Sequence, residues 1–317
     1  MLHKRDSPVD TSADAAANAT TVARASQQRR LAGALLKSKS TTLFRHFPGA
    51  LAGDEEAIHQ LRVSGRRLRI ALGVLVENPK GRRAARTQRL ARLLTQTAGS
   101  GRDFDVLLEI ISKRFQELPE RTPEQRRLRH RLADARRRCR ARMVQLLLDV
   151  EISRLRGDLA TLVSRGGPER TVICERIRGM CERESRKLFD GFAALGALLD
   201  INALHALRRR ARRLRYAVEI FAEIFSAGAG VTKPWKRLQD LIGVLHDHNM
   251  LAEWFDRQAR ADEKRGHPGL ASAALAEAAW ARETMHQLHH RFLAEDPSAL
   301  VHQGLAAVGF LPPPPSQ

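Results

Sequence analysis

The chain reads as an all-α protein, two copies of one helical-bundle unit in tandem. Three observations predict this. Val, Ile and Thr seldom alternate with polar residues, whereas Leu, Ala and Arg recur at spacings of three, four and seven, the period of a helix face. Glycine- and proline-rich punctuation divides the chain into helix-length segments. The stretch Ile58–Arg69 also returns at Leu204–Arg215: His59, Leu61, Arg62, Arg66, Arg67, Leu68 and Arg69 reappear as His205, Leu207, Arg208, Arg212, Arg213, Leu214 and Arg215, each 146 positions later. A self-match at fixed spacing marks a duplicated structural unit.

In chain order, residues 1–26 are polar and aperiodic and read as a disordered tail. The first repeat runs over 27–165. Within it, Asp54-Glu55-Glu56 before Ala57 is an acidic helix start that favours the positive end of the helix dipole. Asn78-Pro79-Lys80-Gly81 and Gly99-Ser100-Gly101 read as breaks. Thr122-Pro123-Glu124-Gln125 offers an N-cap threonine, a proline at the first helical position and a glutamine placed to close a capping box. Gly166-Gly167-Pro168 divides the copies, giving a linker at 166–170 and a second repeat over 169–308. That repeat breaks again at Ala227-Gly228-Ala229-Gly230. From 309 to 317 the run Pro312–Pro315 ends the chain as a disordered, extended tail. Each half then holds four or five helices, and long helices joined by short turns make a bundle.

A second repeated block follows the first. Gln88-Arg89-Leu90-Ala91-Arg92-Leu93 is similar to Lys236-Arg237-Leu238-Gln239-Asp240-Leu241, and Arg102-Asp103-Phe104-Asp105-Val106-Leu107 to His246-Asp247-His248-Asn249-Met250-Leu251. The offset drops from 148 to 144 between these blocks, so the first copy carries about four extra residues near Gly99, as a turn or helix-end insertion would supply.

Composition points to a polyanion. Of 317 residues, 55 are Lys or Arg against 35 Asp or Glu, a net charge of +20. So large an excess repels itself and calls for counter-anions. Most of it is arginine, whose planar fork grips phosphate oxygens two at a time. Nucleic acid, an anionic membrane and a polymeric phosphate all qualify at this level. No apolar stretch approaches the ~20 residues needed to span a bilayer, and no apolar leader is seen at the N-terminus, so membrane binding is not expected and the cytoplasm is. Three cysteines (Cys139, Cys174, Cys181) without metal-type spacing suggest neither a disulfide frame nor a zinc site; Cys174 and Cys181, seven apart, read as buried apolar side chains.

The repeated helix separates its chemistry by face. At ~100° per residue, His59, Arg62, Arg66 and Arg69 form one stripe and Leu61, Leu68, Leu72 and Leu75 another. His205, Arg208, Arg212 and Arg215 repeat the stripe beside Leu207, Leu214 and Val218. Arg67 and Arg213 fall off the line and are expected to meet a neighbouring helix. Like charges three and four apart destabilise a helix, and no Asp or Glu relieves them between Gln60 and Leu75 or between Ala206 and Val218. An anion-binding stripe accounts for this better than a solvated face. The two histidines are read as phosphate donors; metal binding is disfavoured by the adjacent cations. The run Arg126–Arg142 is basic nearly all round, and Arg138 and Arg142 are taken as its wall residues. His286, His289 and His290 read as an exposed polar helix face.

At these residues the chain resembles the CHAD family, the conserved histidine α-helical domain. The family's His-x-x-Arg-x-x-x-Arg-Arg-Leu-Arg helix is matched in both halves, Trp235–Gly243 is similar to its Leu-Lys-x-Leu-Gln-Asp-x-Leu-Gly helix, and Arg102–Val106 to its Arg-Asp-x-Asp-Val segment. Lys236 keeps the family's lysine, but Gln88 stands in the matching place of the first half. The resemblance covers about 27–300. It implies two pseudo-symmetric four-helix bundles whose basic helices meet at a central groove or pore. It also implies binding of inorganic polyphosphate and association with polyphosphate granules. The expected ligand contacts are then His59, Arg62, Arg66, Arg67, Arg69, His205, Arg208, Arg212, Arg213, Arg215, Lys236, Arg237, Arg89, Arg102, His246, Arg138 and Arg142. Asp103 and Asp247 are expected to hold arginines in place from behind.

The expectation is therefore a non-enzymatic polyphosphate binder with no cofactor, no metal, no catalytic residue and no obligatory protein partner. A phosphatase or kinase would need a metal-binding carboxylate cluster or a Gly-rich phosphate loop, and the sequence offers neither. A general polyanion or nucleic-acid binder is the alternative. Against it, aromatics are 5% of the chain with one tyrosine, Tyr216, so stacking platforms for single strands are scarce.

Overall fold

The computed structural model describes residues 11–195 and 199–310, and among these every regular element is helical. The first half contributes α1 (Thr11–Leu51), α2 (Glu55–Leu75), α3 (Arg82–Gln116), α4 (Pro123–Leu148) and the short α5 (Ile152–Ser164). The second contributes α6 (Arg170–Ala194), α7 (Ile201–Phe225), a 3-10 turn (Ala229–Thr232), α8 (Lys233–Lys264), α9 (Pro268–Ala294) and the short α10 (Pro297–Ala306).

The start signals form as read. Asp54 accepts the amide of Ala57 at 2.7 Å, and Glu55 and Glu56 fill the first turn of α2. Thr122 and Gln125 close both arms of the capping box at the head of α4, at 3.1 and 3.0 Å, with Pro123 in the first turn. Three expectations need correction. Helix α1 begins at Thr11, inside the segment read as a tail, because 11–25 is rich in alanine, the strongest helix former; residues 1–10 lie outside those described. Phe310 is buried and packs edge-on against Phe221 at 5.3 Å, so the ordered chain runs past Gly309, while 311–317 lie outside the described residues.

Third, Gly99-Ser100-Gly101 is no break: α3 continues straight through it. A side chain at Gly101 would meet the Met143 sulfur at 2.7 Å, so this glycine serves the crossing with α4. The four extra residues add about one turn to a continuous helix, which returns the following residues to nearly the same face.

The Gly166–Pro168 connector is tightly held. Gly166 adopts φ +71°, Gly167 donates to the carbonyl of Arg29 at 3.2 Å, and a Cβ at Gly167 would collide with the carbonyl of Leu75. The halves share their interior. One apolar cluster runs from Leu36, Leu61 and Leu72 through Ile177 and Leu214 to Trp235 and Leu305, and a second joins Ile111, Phe115 and Leu128 of the first half to Phe255, Ala274 and Ala278 of the second. Within α2 and α7, Leu61, Leu68, Leu72, Leu75, Leu207, Leu214 and Val218 are all buried. Burying the leucine stripe leaves the arginine stripe of each helix beside it, where α2, α7 and α8 meet. Cys181 is fully buried and Cys174 partly so; all three cysteines are free thiols.

Candidate functional site

Where α2, α7 and α8 meet there is a cavity of about 630 Å³. His59, Arg66 and Arg67 reach it from α2, and Arg208, Arg212, Arg215 and Tyr216 from α7; Gln239, Asp240 and Asp247 of α8 complete the wall. Five arginines therefore share one concave space with two carboxylates.

The arginines fall into two kinds. Arg67 is forked onto Glu219 of α7 at 2.7 and 3.2 Å, with its guanidinium over the ring of Tyr216 at 5.7 Å. Arg215 donates to the same Glu219 at 3.0 Å and to Gln239 of α8 at 2.8 Å. Glu219 thus ties α2 to α7, Arg215 carries the link on to α8, and the carboxylate neutralises part of the cluster. Arg66 and Arg212 meet no carboxylate within ion-pair range among the described residues. Burial and the charge of Arg62 hold Arg66 down to about 10, and burial with the charges of Arg66 and Arg208 holds Arg212 down to about 9. Both still carry full charge at neutral pH, held against desolvation and repulsion with no internal counter-ion.

Between these extremes lie two matching pairs. Arg62 of α2 sits 3.1 Å from Asp103 of α3, and Arg208 of α7 sits 3.7 Å from Asp247 of α8. Neither pair closes a hydrogen bond, and the buried Nε of Arg62 has no hydrogen-bond partner among the described residues. The groups also sense one another across the halves: Arg62 and Asp103 both act on Arg208 and on Asp247. Burial raises Asp247 to about 6 against the pull of Arg208.

The histidines stay near this centre. His59 lines the cavity, and burial followed by the charge of Arg102 lowers its pKa. His205 and His246 stand ring to ring at 5.1 Å. Burial and then Arg208 push His246 down to about 3, so this imidazole is neutral at physiological pH. Arg102 pairs with Glu55 at 2.9 Å beside His59.

Several expected contacts lie elsewhere. Arg213 is exposed and pairs with Glu184 of α6 at 3.0 Å, and Arg237 is forked onto Glu295 beyond α9; neither lines the cavity. Lys236 and Arg89 are exposed. Arg69 sits with Arg92 and Arg213, outside the cavity lining. On α4 the inward residues are Arg136 and Arg140, both hydrogen-bonded to the buried Asp105, at 2.5 and 2.6 Å; Arg138 and Arg142 are exposed. A helix with arginine on every face gives no phase from its sequence, so spacing alone does not single out Arg136 and Arg140. His289 is buried, while His286 and His290 are exposed as read.

Tyr216, Glu219, Gln239 and Asp240 are site residues the sequence reading passed over. Glu219 carried a usable signal, being four residues from Arg215 on the same helix. Among the described residues, no group of three or more His, Cys, Asp or Glu side chains is placed to hold a metal ion, and no helix is long and apolar enough to cross a membrane.

An all-helical fold with duplicated His/Arg helices at a basic cavity defines a class, and comparison supplies its name. A family model for the CHAD domain matches residues 34–256, and the chain belongs to that family. Among solved structures it is similar to the CHAD domain from the plant Ricinus communis, with a TM-score of 0.62 and 20% identity over 88% of this chain and 92% of that one. It is also similar to PptA from Streptomyces chartreusis, with a TM-score of 0.59 and 18% identity over 82% of this chain and 98% of that one. At these identities the likeness shows a shared fold. No curated protein sequence matches the chain.

Proposed function

We propose that this protein binds inorganic polyphosphate in the cavity between α2, α7 and α8, without turning it over. The observation that carries this is the Arg66–Arg212 arrangement: two half-buried, charged guanidiniums in one cavity, neither paired with a carboxylate among the described residues. A phosphate chain supplies the missing charge at regular spacing, and each phosphate can meet a guanidinium fork. Arg208 and Arg62 extend the contact path, with His59 at its edge. Glu219 holds Arg67 and Arg215 rigid so that the wall is preorganised. Affinity then rises with chain length, as more contacts form and more counterions are released. A bare phosphate polymer has no base edges, so selection rests on cavity shape and charge.

The test is retention of the full chain on immobilised long-chain polyphosphate at about 150 mM salt, in competition with duplex DNA, short polyphosphate and orthophosphate. Retention against a large excess of DNA supports a dedicated receptor. Equal displacement by DNA would assign the protein to general polyanion binding, for which the exposed arginines of α4 (Arg127, Arg137, Arg138, Arg142) already provide a surface. Association with polyphosphate granules follows from the same binding, and co-localisation of the labelled protein with stained granules checks it.

A further inference from the structure

Two carboxylates beside the central arginines, Asp103 and Asp247, are placed differently from the acids that fork or hydrogen-bond arginines elsewhere in the fold. Glu219 forks Arg67, Asp158 forks Arg86 at 2.7 and 2.6 Å, and Asp105 takes hydrogen bonds from Arg136 and Arg140. Asp103 and Asp247 approach Arg62 and Arg208 only at 3.1 and 3.7 Å, and no hydrogen bond forms. A side chain that fixes a rotamer needs directional contacts, and these two lack them. Both are partly open to solvent, at 38% and 27% side-chain exposure, so an incoming anion can reach the same guanidiniums.

We infer that Asp103 and Asp247 are built-in competitors for the central arginines, making the cavity selective for ligands that deliver several phosphates at once. The inference rests on the polyphosphate reading above. Each carboxylate is tethered beside its arginine at a high effective concentration. A single small anion that reaches Arg62 or Arg208 must outbid that neighbour and tolerate its charge. A phosphate chain also engages Arg66 and Arg212, which have no internal competitor, and those contacts carry its next units onto Arg208 and Arg62. The duplication preserves the arrangement in both halves although the spacing between arginine and aspartate differs by two residues, 41 from Arg62 to Asp103 and 39 from Arg208 to Asp247.

The experiment is calorimetric binding of orthophosphate, tripolyphosphate and long-chain polyphosphate to the wild type, to D103N/D247N, and to the charge-keeping D103E/D247E. The expected result is tripolyphosphate affinity about tenfold higher in the asparagine variant, the scale of two unit charges removed from partly solvated positions. Long-chain affinity changes less, so the ratio between long and short ligands collapses, while the glutamate variant keeps the wild-type ratio. A uniform loss of affinity in the asparagine variant would show that the aspartates position the arginines instead, and an unchanged ratio would equally overturn the inference. If the double variant does not fold, D103N and D247N singly carry the same comparison. Wild-type protein that fails to bind long-chain polyphosphate overturns both readings; wild-type binding with an unaltered ratio overturns this one alone.

Discussion

Arg66 of α2 and Arg212 of α7 share one cavity, and burial with the charge of the first brings the second to about 9. A depressed arginine costs stability: the folded state disfavours the charged form, the cost is full below about pH 9, and it fades as pH rises through that value. Exchange of both residues for glutamine removes the cost. The apo R66Q/R212Q protein is expected to melt about 2–4 °C higher than the wild type at pH 7. Its affinity for long-chain polyphosphate should fall more than tenfold, the loss of two charge-assisted contacts. Differential scanning calorimetry with and without ligand measures both, and a destabilised variant would mean that the two guanidiniums are structurally balanced by something other than ligand.

Acidification should strengthen binding. Asp247, raised to about 6, is ionised and opposes an anion above that pH, and is neutral below it. Arg208 and Arg212 of α7, Arg62 and Arg66 of α2, Arg102 and Asp103 of α3 and His246 on its own helix surround it. The charges of Arg62, Arg102 and Arg208 pull Asp247 down and Asp103 pushes it up; burial outweighs them. Affinity is expected to climb several-fold as pH falls from 8 to 5, with proton uptake on binding. D247N should flatten the response. A response that persists in D247N would assign it to His59 or His205, whose pKa values are lowered by burial and by neighbouring arginines.

How far the sequence reached depended on whether a residue's role was set locally. The capping box at Thr122 and Gln125 and the cap at Asp54 are closed within three residues, so their geometry follows from spacing alone. The division of α2 into leucine and arginine faces was legible for the same reason. Gly99-Ser100-Gly101 misled because glycine both ends helices and lets them cross closely, and only Met143, 42 residues from Gly101, decides between the two. Arg62 and Arg67 look alike in sequence, yet the first meets Asp103 on α3 and the second Glu219 on α7. That distinction is made by partners brought together only by the fold.

The outer arginines provide an internal control. Arg138 and Arg142 are exposed on α4, on faces away from Asp105. R138Q/R142Q is expected to leave polyphosphate affinity within about twofold of wild type and its salt slope unchanged, because each lost phosphate contact lowers that slope by about one. DNA binding, if it occurs on this surface, should weaken and lose salt dependence in the same variant. Filter binding across a salt series separates the two ligands. An equal loss for polyphosphate would extend its path onto the outside of α4.

The close crossing of α2 and α3 depends on one absent methyl group. Gly65, fully enclosed in the middle of the arginine stripe, faces Thr95, and a Cβ at 65 would collide with the threonine Oγ1. That hydroxyl is itself committed to the carbonyl of Ala91 at 2.6 Å, so it has little freedom to turn away. The second repeat carries Ala211 at the matching place, and it is buried there. Gly65→Ala is therefore expected to cost about 1–3 kcal/mol by overpacking, although alanine is the better helix former. Thr95→Ala should relieve the collision, so that the double variant is more stable than the sum of the single changes predicts. Denaturant unfolding of the four proteins completes the cycle; additive effects would show that α2 and α3 can separate at this point without loss, and that Arg62 and Arg66 are not held in position by this contact.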